Sequence, residues 1–244
     1  MENPAGIFYG VGVGPGDPDL MTIKALKVLK GSAVLAVPRS ADSSPEGLSQ
    51  ALSIVKKAVD LEGKEILELL FPMTKDRDVL REARKAAALA IAERLKRGQD
   101  VCFITLGDPM LYSTFSYLMP FIREALPGAD IKAVPGVTSF SAASSAAVLP
   151  LAESYEKVII IPAASDIGEV RKAIDRLSGA GTIVLMKVNR VMDALIAMLS
   201  EARLADKALF VSRAGWPGEE IVTGIKSLKG RKLDYFSIVI IKKD

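Results

Sequence analysis

Gly10-Val11-Gly12-Val13-Gly14-Pro15-Gly16-Asp17-Pro18-Asp19-Leu20 closes an apolar run that reads as a first β-strand, Ile7–Val13. Closely spaced glycines after a strand let backbone approach a ligand without side-chain obstruction. Two familiar patterns fail against these residues. A dinucleotide fingerprint needs Gly-x-Gly-x-x-Gly, but counting from Gly10 its last place is Pro15, and from Gly12 it is Asp17. Gly12, Gly14 and Gly16 do fit a Gly-x-Gly-x-Gly methyltransferase loop, yet Gly10 stands where an acid is usual. Both patterns also want a ribose-binding carboxylate after the second strand, which here ends in Pro38-Arg39. A tight turn with a purely structural purpose stays open.

Outward from this loop, strand and helix signals alternate. Thr22–Leu29 has helical apolar spacing, and Ser32–Val37 reads as a strand stopped by Pro38. Leu48–Val59 is a helix candidate and Glu65–Phe71 a weaker strand. Asp76–Lys96 is a long amphipathic helix, with Asp76 and Asp78 in its first turn, Arg94 and Lys96 in its last and Gly98 just beyond. Its Glu93/Arg97 pair belongs to a solvated face. Val101–Leu106 reads as a buried strand, Phe115–Leu126 as a helix, Ile131–Val134 as a strand and Ser139–Val148 as a closely packed helix. Such alternation predicts a parallel, doubly wound α/β sheet in the first half. The second half predicts strands at Val158–Ile161, Thr182–Val188, Leu209–Ser212 and Phe236–Lys242, with helices at Ile167–Leu177 and Val191–Arg203. Leu149–Glu156, with its Pro150 stop, is the expected boundary between domains 1–150 and 151–244.

Two further loops carry polar groups at strand ends. Thr105-Leu106-Gly107-Asp108-Pro109-Met110-Leu111-Tyr112-Ser113-Thr114 follows an apolar strand, where ligands bind in open parallel sheets. Gly107 permits close approach, and Asp108 offers either a ligand carboxylate or a cap for the turn. Val134-Pro135-Gly136-Val137-Thr138-Ser139-Phe140 repeats the strand, glycine turn and small-residue helix, with Thr138 or Ser139 available as an N-cap.

Composition narrows the chemistry. The chain has 244 residues, 50% of them hydrophobic and only 6% aromatic, so an aliphatic core is expected. It has no histidine and one cysteine, which excludes zinc sites and Ser-His or Cys-His catalysis in their usual forms; no metal site is expected. Cys102 sits in an apolar strand and reads as a buried residue in a reducing cytoplasm. No run is long enough to span a bilayer, and no secretory signal is visible. A formal charge of +3 gives no argument for nucleic acid and is compatible with a polyanionic small substrate.

In order and spacing, the three glycine motifs resemble those of the tetrapyrrole (corrin/porphyrin) methylases. Weaker similarities follow in Leu185-Met186-Lys187, in Ser212-Arg213-Ala214-Gly215-Trp216-Pro217-Gly218-Glu219 and in Tyr235-Phe236-Ser237-Ile238-Val239-Ile240. The opening Tyr9–Asp17 stretch, Phe71-Pro72-Met73 and the Tyr112-Ser113-Thr114 ending look like the branch that methylates carbon 20 of precorrin-2 or cobalt-factor II. Many relatives have glycine in place of Ser113. The chain departs from the family at Trp216-Pro217-Gly218-Glu219-Glu220, usually Thr-x-Pro-x-Gln, and lacks the usual Pro before Ser237.

This resemblance implies two α/β domains with S-adenosylmethionine in the cleft between them, and S-adenosylhomocysteine as product. It assigns Pro15, Leu106, Gly107, Asp108, Met110, Thr138 and Ser139 to the cofactor on the N-terminal side. Met186, Ala214, Gly215 and Ser237 join them from the C-terminal side. The implied reaction is direct attack of a meso carbon on the activated methyl group, which asks the protein mainly for alignment. Tyr112 is the candidate to assist the later proton loss. Ser113 and Thr114 would meet the tetrapyrrole edge, while Arg39, Arg213 and Lys187 would meet its carboxylates. A cytoplasmic homodimer is implied as well. Methylation at another corrin position or of uroporphyrinogen, a diphthine-synthase-like protein methylation, and a catalytically silent cofactor-binding module stay open as alternatives.

Overall fold

A computed structural model describes residues 4–40, 49–162, 166–177 and 180–243. The chain forms two compact units, Met1–Thr138 and Ser139–Asp244, each an α/β layer structure. Among the described residues no helix is long and apolar enough to cross a membrane.

The first unit runs β1 (Phe8–Gly12), α1 (Ile23–Gly31), β2 (Val34–Ser40), α2 (Gln50–Ala58), β3 (Glu65–Phe71), α3 (Arg77–Lys96), β4 (Val101–Thr105), α4 (Thr114–Ala125) and β5 (Ile131–Val134). Leu48, expected to open the second helix, lies outside the described residues. The five strands are parallel in the order β3-β2-β4-β1-β5. Neighbours β1 and β4 lead to opposite edges, β1 to β2 and β4 to β5. Right-handed crossovers therefore set α1 and α2 on one face and α3 and α4 on the other. Where connections reverse in this way, the crevice beyond the carboxyl ends of the strands is the usual ligand position.

Helix starts follow from local chemistry. Thr22 caps α1 by accepting from the Ala25 amide at 3.1 Å. Asp76, expected inside the first turn of α3, is its N-cap and accepts from Asp78 and Val79. Strand β2 does not stop at Pro38 but continues to Ser40. Its pairing with β4 ends at Ala36, so beyond that point only β3 borders it and the missing proline N–H faces no second strand.

The core of this unit corrects the expectation of a purely aliphatic interior. Phe8, Phe71, Phe103 and Phe115, four of the chain's eight phenylalanines, gather between the sheet and the α3/α4 layer. Their centroids lie 5.2 Å (Phe8–Phe115), 6.3 Å (Phe103–Phe115) and 6.5 Å (Phe71–Phe103) apart. Ala87, Ala88, Ile91 and Leu95 of α3 close over them. Gly10 makes this packing possible, because a Cβ there would sit 2.5 Å from the Phe115 ring.

The second unit runs α5 (Ser139–Ala146), β6 (Lys157–Pro162), α6 (Ile167–Arg176), β7 (Gly181–Met186), α7 (Met192–Glu201), β8 (Ala208–Ser212), β9 (Glu220–Thr223) and β10 (Ser237–Lys243). Its mixed sheet has the order β6-β7-β10-β8-β9, with only β6 and β7 parallel. The core here is aliphatic as expected, with Ile183, Leu185, Val239 and Ile241 against Val170, Leu195 and Leu199, and Phe210 among them. Strand β9 has no counterpart in the sequence reading. It is a four-residue edge strand with alternate residues exposed, too short to give a periodic signal. The division falls after Thr138, ahead of the expected 150/151 boundary. Residues 149–156 are fastened to the second sheet, where Lys242 donates to the Pro150 carbonyl at 3.3 Å and pairs with Glu153 at 2.9 Å and Glu156 at 3.3 Å.

Cys102 is buried in β4 and donates to the Ser32 hydroxyl at 2.9 Å. Burial, which disfavours the thiolate, pushes its pKa up from the usual 9.0 to about 12, with the Ser32 hydrogen bond acting the other way. The unfolded chain thus releases this proton near pH 9 while the folded chain holds it to near pH 12. Stability from this group is complete below pH 9 and falls as pH rises through that window, by up to about 1.4 kcal/mol per pH unit. Urea denaturation of wild type and Cys102→Ala between pH 8 and about 11 checks this: the wild type should lose stability more steeply, and parallel curves would refute it.

Candidate functional site

Loops at the carboxyl ends of β1, β4 and β5 meet in the first unit, and their contact is backbone against backbone. A Cβ on Gly12 would run into the Gly107 carbonyl and into Gly136, and a Cβ on Gly136 would strike the same carbonyl. The Gly107 amide donates to Gly14 at 2.8 Å, and the Val13 amide to Thr105 at 3.0 Å. Gly14 and Gly107 have φ of +81° and +65°, a region that favours glycine. Gly10, Gly12 and Gly136 are therefore bare for the sake of internal packing. Gly107 differs, because a Cβ built on it finds nothing nearer than 3.9 Å. A side chain there would meet Val137 and Thr138 at van der Waals distance, so this position is packed more loosely than its neighbours.

Asp108 joins two of these loops. One carboxylate oxygen accepts from the Met110 amide at 2.8 Å and the other from the Gly136 amide at 3.1 Å. The turn-capping reading of this residue thus holds, and it reaches across to the loop after β5 as well. Pro15 is buried in the first loop, Leu106 and Thr138 are half-buried, and Met110 is 55% exposed. Tyr112 stands half-exposed in a left-handed backbone conformation at φ +50°.

Ser113 differs from its expected place at a substrate edge. It is buried and caps α4, accepting from the Phe115 amide at 3.2 Å and donating to Thr105 Oγ1 at 3.1 Å. Thr114 begins α4 and is half-buried. Arg39, at the end of β2, donates from its guanidinium to Glu68 at 2.7 Å on the neighbouring strand.

In the second unit, Met186 ends β7 and Ser237 begins the antiparallel β10, with Ile238 opposite Met186 and Ser237 opposite Ser212. Pairing thus brings Met186, Lys187, Arg213, Ala214, Gly215 and Ser237 to one end of this sheet. Ser139 opens α5 in the same unit. Lys187 and Arg213 both have positive φ, +59° and +54°; the Lys187 amide donates to Ser237 and the Arg213 amide to Phe236. The Lys187 ammonium lies 5.8 Å from the Tyr235 ring centroid. The Arg213 guanidinium is engaged within the unit, with its side chain 39% exposed. It pairs with Asp234 at 3.1 Å and donates to the Pro217 carbonyl at 3.2 Å.

Sequence reading missed Asp234. Its signal is local: an Asp two residues before the first amide of a strand reads as an Asx turn, and here it accepts from Phe236 at 2.8 Å. Among the described residues no group of His, Cys, Asp and Glu could hold a metal ion.

A family model, Tetrapyrrole (Corrin/Porphyrin) Methylases, matches residues 8–228. The chain belongs to this family. This tetrapyrrole methylase is 38% identical to a probable cobalt-precorrin-2 C(20)-methyltransferase of Methanocaldococcus jannaschii, over 96% of the chain and 95% of that protein. It is 34% identical to the cobalt-precorrin-2 C(20)-methyltransferase of Salmonella typhimurium, over 98% of the chain and 97% of that relative. Its fold is shared with the uroporphyrin-III C-methyl transferase of Thermus thermophilus, solved with S-adenyl homocysteine, at a TM-score of 0.66 and 21% identity over 97% of the chain and 92% of that structure.

Because Asp108 satisfies two backbone amides, removing it strands the Gly136 N–H in a half-buried setting. Asp108→Ala should cost about 1–3 kcal/mol, and Asp108→Asn less because one acceptor oxygen remains. Midpoints of urea denaturation at unchanged slope measure both, and equal midpoints for wild type and Asp108→Ala would show that the tie carries no load.

Proposed function

We propose that this chain transfers the methyl group of S-adenosylmethionine to carbon 20 of precorrin-2 or cobalt-factor II in cobalamin biosynthesis. The observation that carries the reading is the 38% and 34% identity, over nearly the whole chain, with proteins named as C(20)-methyltransferases of cobalt-precorrin-2. The looser packing at Gly107 supports it from the side of geometry. An adenosine-bearing cofactor fits these residues, because the 55% exposed Met110 and the half-buried Leu106 offer apolar surface beside a glycine whose Cβ position is only loosely packed.

When bound, the cofactor supplies a methyl group already activated on a sulfonium. The chain's own task is then to hold and align, which accords with a protein that has no histidine. In the first unit, Pro15, Leu106, Gly107, Met110 and Thr138 are assigned to cofactor contact, with Asp108 fixing the loops that present them. In the second unit Ser139, Met186, Ala214, Gly215 and Ser237 take the same role. Ser237 is buried and donates its hydroxyl to the Asp234 carbonyl at 2.6 Å, which fixes its side chain at the start of β10.

Tyr112 is assigned the relay of the proton that the methylated carbon gives up, its half-exposed ring being set by the left-handed backbone. Arg39 and Lys187 supply cations for the acetate and propionate carboxylates, and Thr114 meets the macrocycle edge. A cytoplasmic homodimer belongs to the same proposal, and the buried, protonated Cys102 accords with a reducing compartment.

Incubation of purified protein with precorrin-2 and with cobalt-factor II, each with carbon-labelled methyl donor, tests the assignment. One methyl should be gained and NMR should place it at the meso carbon 20; label at another ring position, or none, rejects the reading. Arg39→Ala should raise the KM for the macrocycle about tenfold, as expected for a lost charge-assisted hydrogen bond. Affinity for S-adenosylhomocysteine should stay unchanged, and equal loss of both would remove Arg39 from the substrate site.

A further inference from the structure

In the second unit two separate segments of the proposed cofactor set are bonded to one residue, Asp234. Asp234 Oδ1 accepts from the Phe236 amide at 2.8 Å, which shapes the turn into β10. Its Oδ2 takes Arg213 at 3.1 Å, and its main-chain carbonyl accepts the Ser237 hydroxyl at 2.6 Å. Arg213 in turn donates to Pro217, closing the loop that contains Ala214 and Gly215. Ser237 and the 213–217 loop are thus fastened to the same residue.

The arrangement is more elaborate than stability requires. Side chains of Arg213 and Asp234 are 39% and 32% exposed, and ion pairs so open to water add little to stability. Meanwhile Arg213 keeps a left-handed backbone at φ +54°, a conformation that side-chain-bearing residues adopt at a cost. A strained residue held by a weak pair makes sense where placement, rather than stability, is the product. On both its backbone and its side chain, Arg213 is committed within the unit: its amide donates to Phe236 at 2.9 Å and its guanidinium meets Asp234 and Pro217.

We propose that Asp234 is a positioning residue for methyl-donor binding: it sets Ser237 and the Ala214–Gly215 backbone in register, and Arg213 acts through it rather than on the carboxylates of the macrocycle. This inference rests on the methyl-donor reading above. It moves Arg213 from the substrate set, where sequence chemistry alone had placed it, to the support of the donor.

The test uses S-adenosylhomocysteine titration and steady-state kinetics on wild type, Asp234→Ala, Asp234→Asn and Arg213→Ala. Asp234→Ala should weaken nucleoside binding and raise the KM for S-adenosylmethionine about tenfold. The macrocycle KM, and kcat at saturating donor, should stay within about twofold, a split that general loosening of the fold does not produce. Asp234→Asn keeps an acceptor for the Phe236 amide and should fall in between. Combining Asp234→Ala with Arg213→Ala should cost no more than the first change alone, because both act through one contact.

Unchanged nucleoside affinity in both Asp234 variants overturns the proposal. So does an Arg213→Ala protein whose macrocycle KM rises while its nucleoside affinity is intact. If Asp234→Ala does not fold, Asp234→Asn and Arg213→Ala make the same decision. Absence of any nucleoside binding by the wild type would instead reject the methyl-donor reading itself, and this role with it.

Discussion

The Gly107 carbonyl lies where side chains on two neighbouring loops would otherwise have to be. Everything at the carboxyl end of the first sheet depends on that contact, since it lets the loops after β1, β4 and β5 close on one another without intervening side chains. Three adjacent parallel strands can then end in nearly bare peptide. Polar peptide groups brought so close must be paired, and the Gly107–Gly14 hydrogen bond and the Asp108 carboxylate supply the pairing. What is left over is the looser packing at Gly107. A family whose donor arrives with its methyl group already activated needs little else from this end of the sheet but a firm backbone surface.

The second unit reaches a comparable result by other means. Its strands are mostly antiparallel, so the ends of β7 and β8 meet the start of β10 instead of a row of parallel tips. Small residues again stand at the strand end, at Ala214 and Gly215, but firmness comes from side chains, namely Asp234, Arg213 and the Trp216 ring stacked on Phe236 at 6.3 Å. Positive φ at Lys187 and Arg213 is accepted because each of their amides finds a carbonyl on β10 or just before it. Backbone strain of this sort, about 1–3 kcal/mol per residue, persists only where neighbours hold it in place.

Much of this was legible in the sequence. The alternation of apolar runs and amphipathic stretches located the elements from β1 to β5 to within a few residues, because a buried parallel strand and a long helix both leave strong signals. The glycine loops also fell at the expected strand ends. What sequence could not separate was the reason for each glycine. Gly10 serves the Phe115 ring, Gly12 and Gly136 serve a carbonyl, and Gly107 serves its positive φ; all look alike in a chain of letters. Pro38 misled because its effect depends on whether a second strand borders it, a fact of the sheet and not of the segment. Strand β9 was invisible for want of length. Arg213 and Ser113 were read by their chemistry, correctly as a cation and a hydroxyl, but their partners are distant or local groups that only the fold supplies.

Ser113 shows how a side chain can act without touching substrate. A contact to the macrocycle was the expectation that the resemblance gave for it. Its hydroxyl instead starts α4, bonding to the Phe115 amide and to Thr105 at the end of β4. Phe115 is the ring that fills the space left by Gly10, so the cap is anchored in the densest part of the core. Tyr112 immediately precedes that cap and is held at φ +50°. A glycine at 113 would remove the side-chain cap, at a cost of a few tenths of a kcal/mol, and would free the backbone that sets the Tyr112 ring. Serine at this position therefore bears on the conformation of its neighbour, and its part in the molecule is set by where one helix begins.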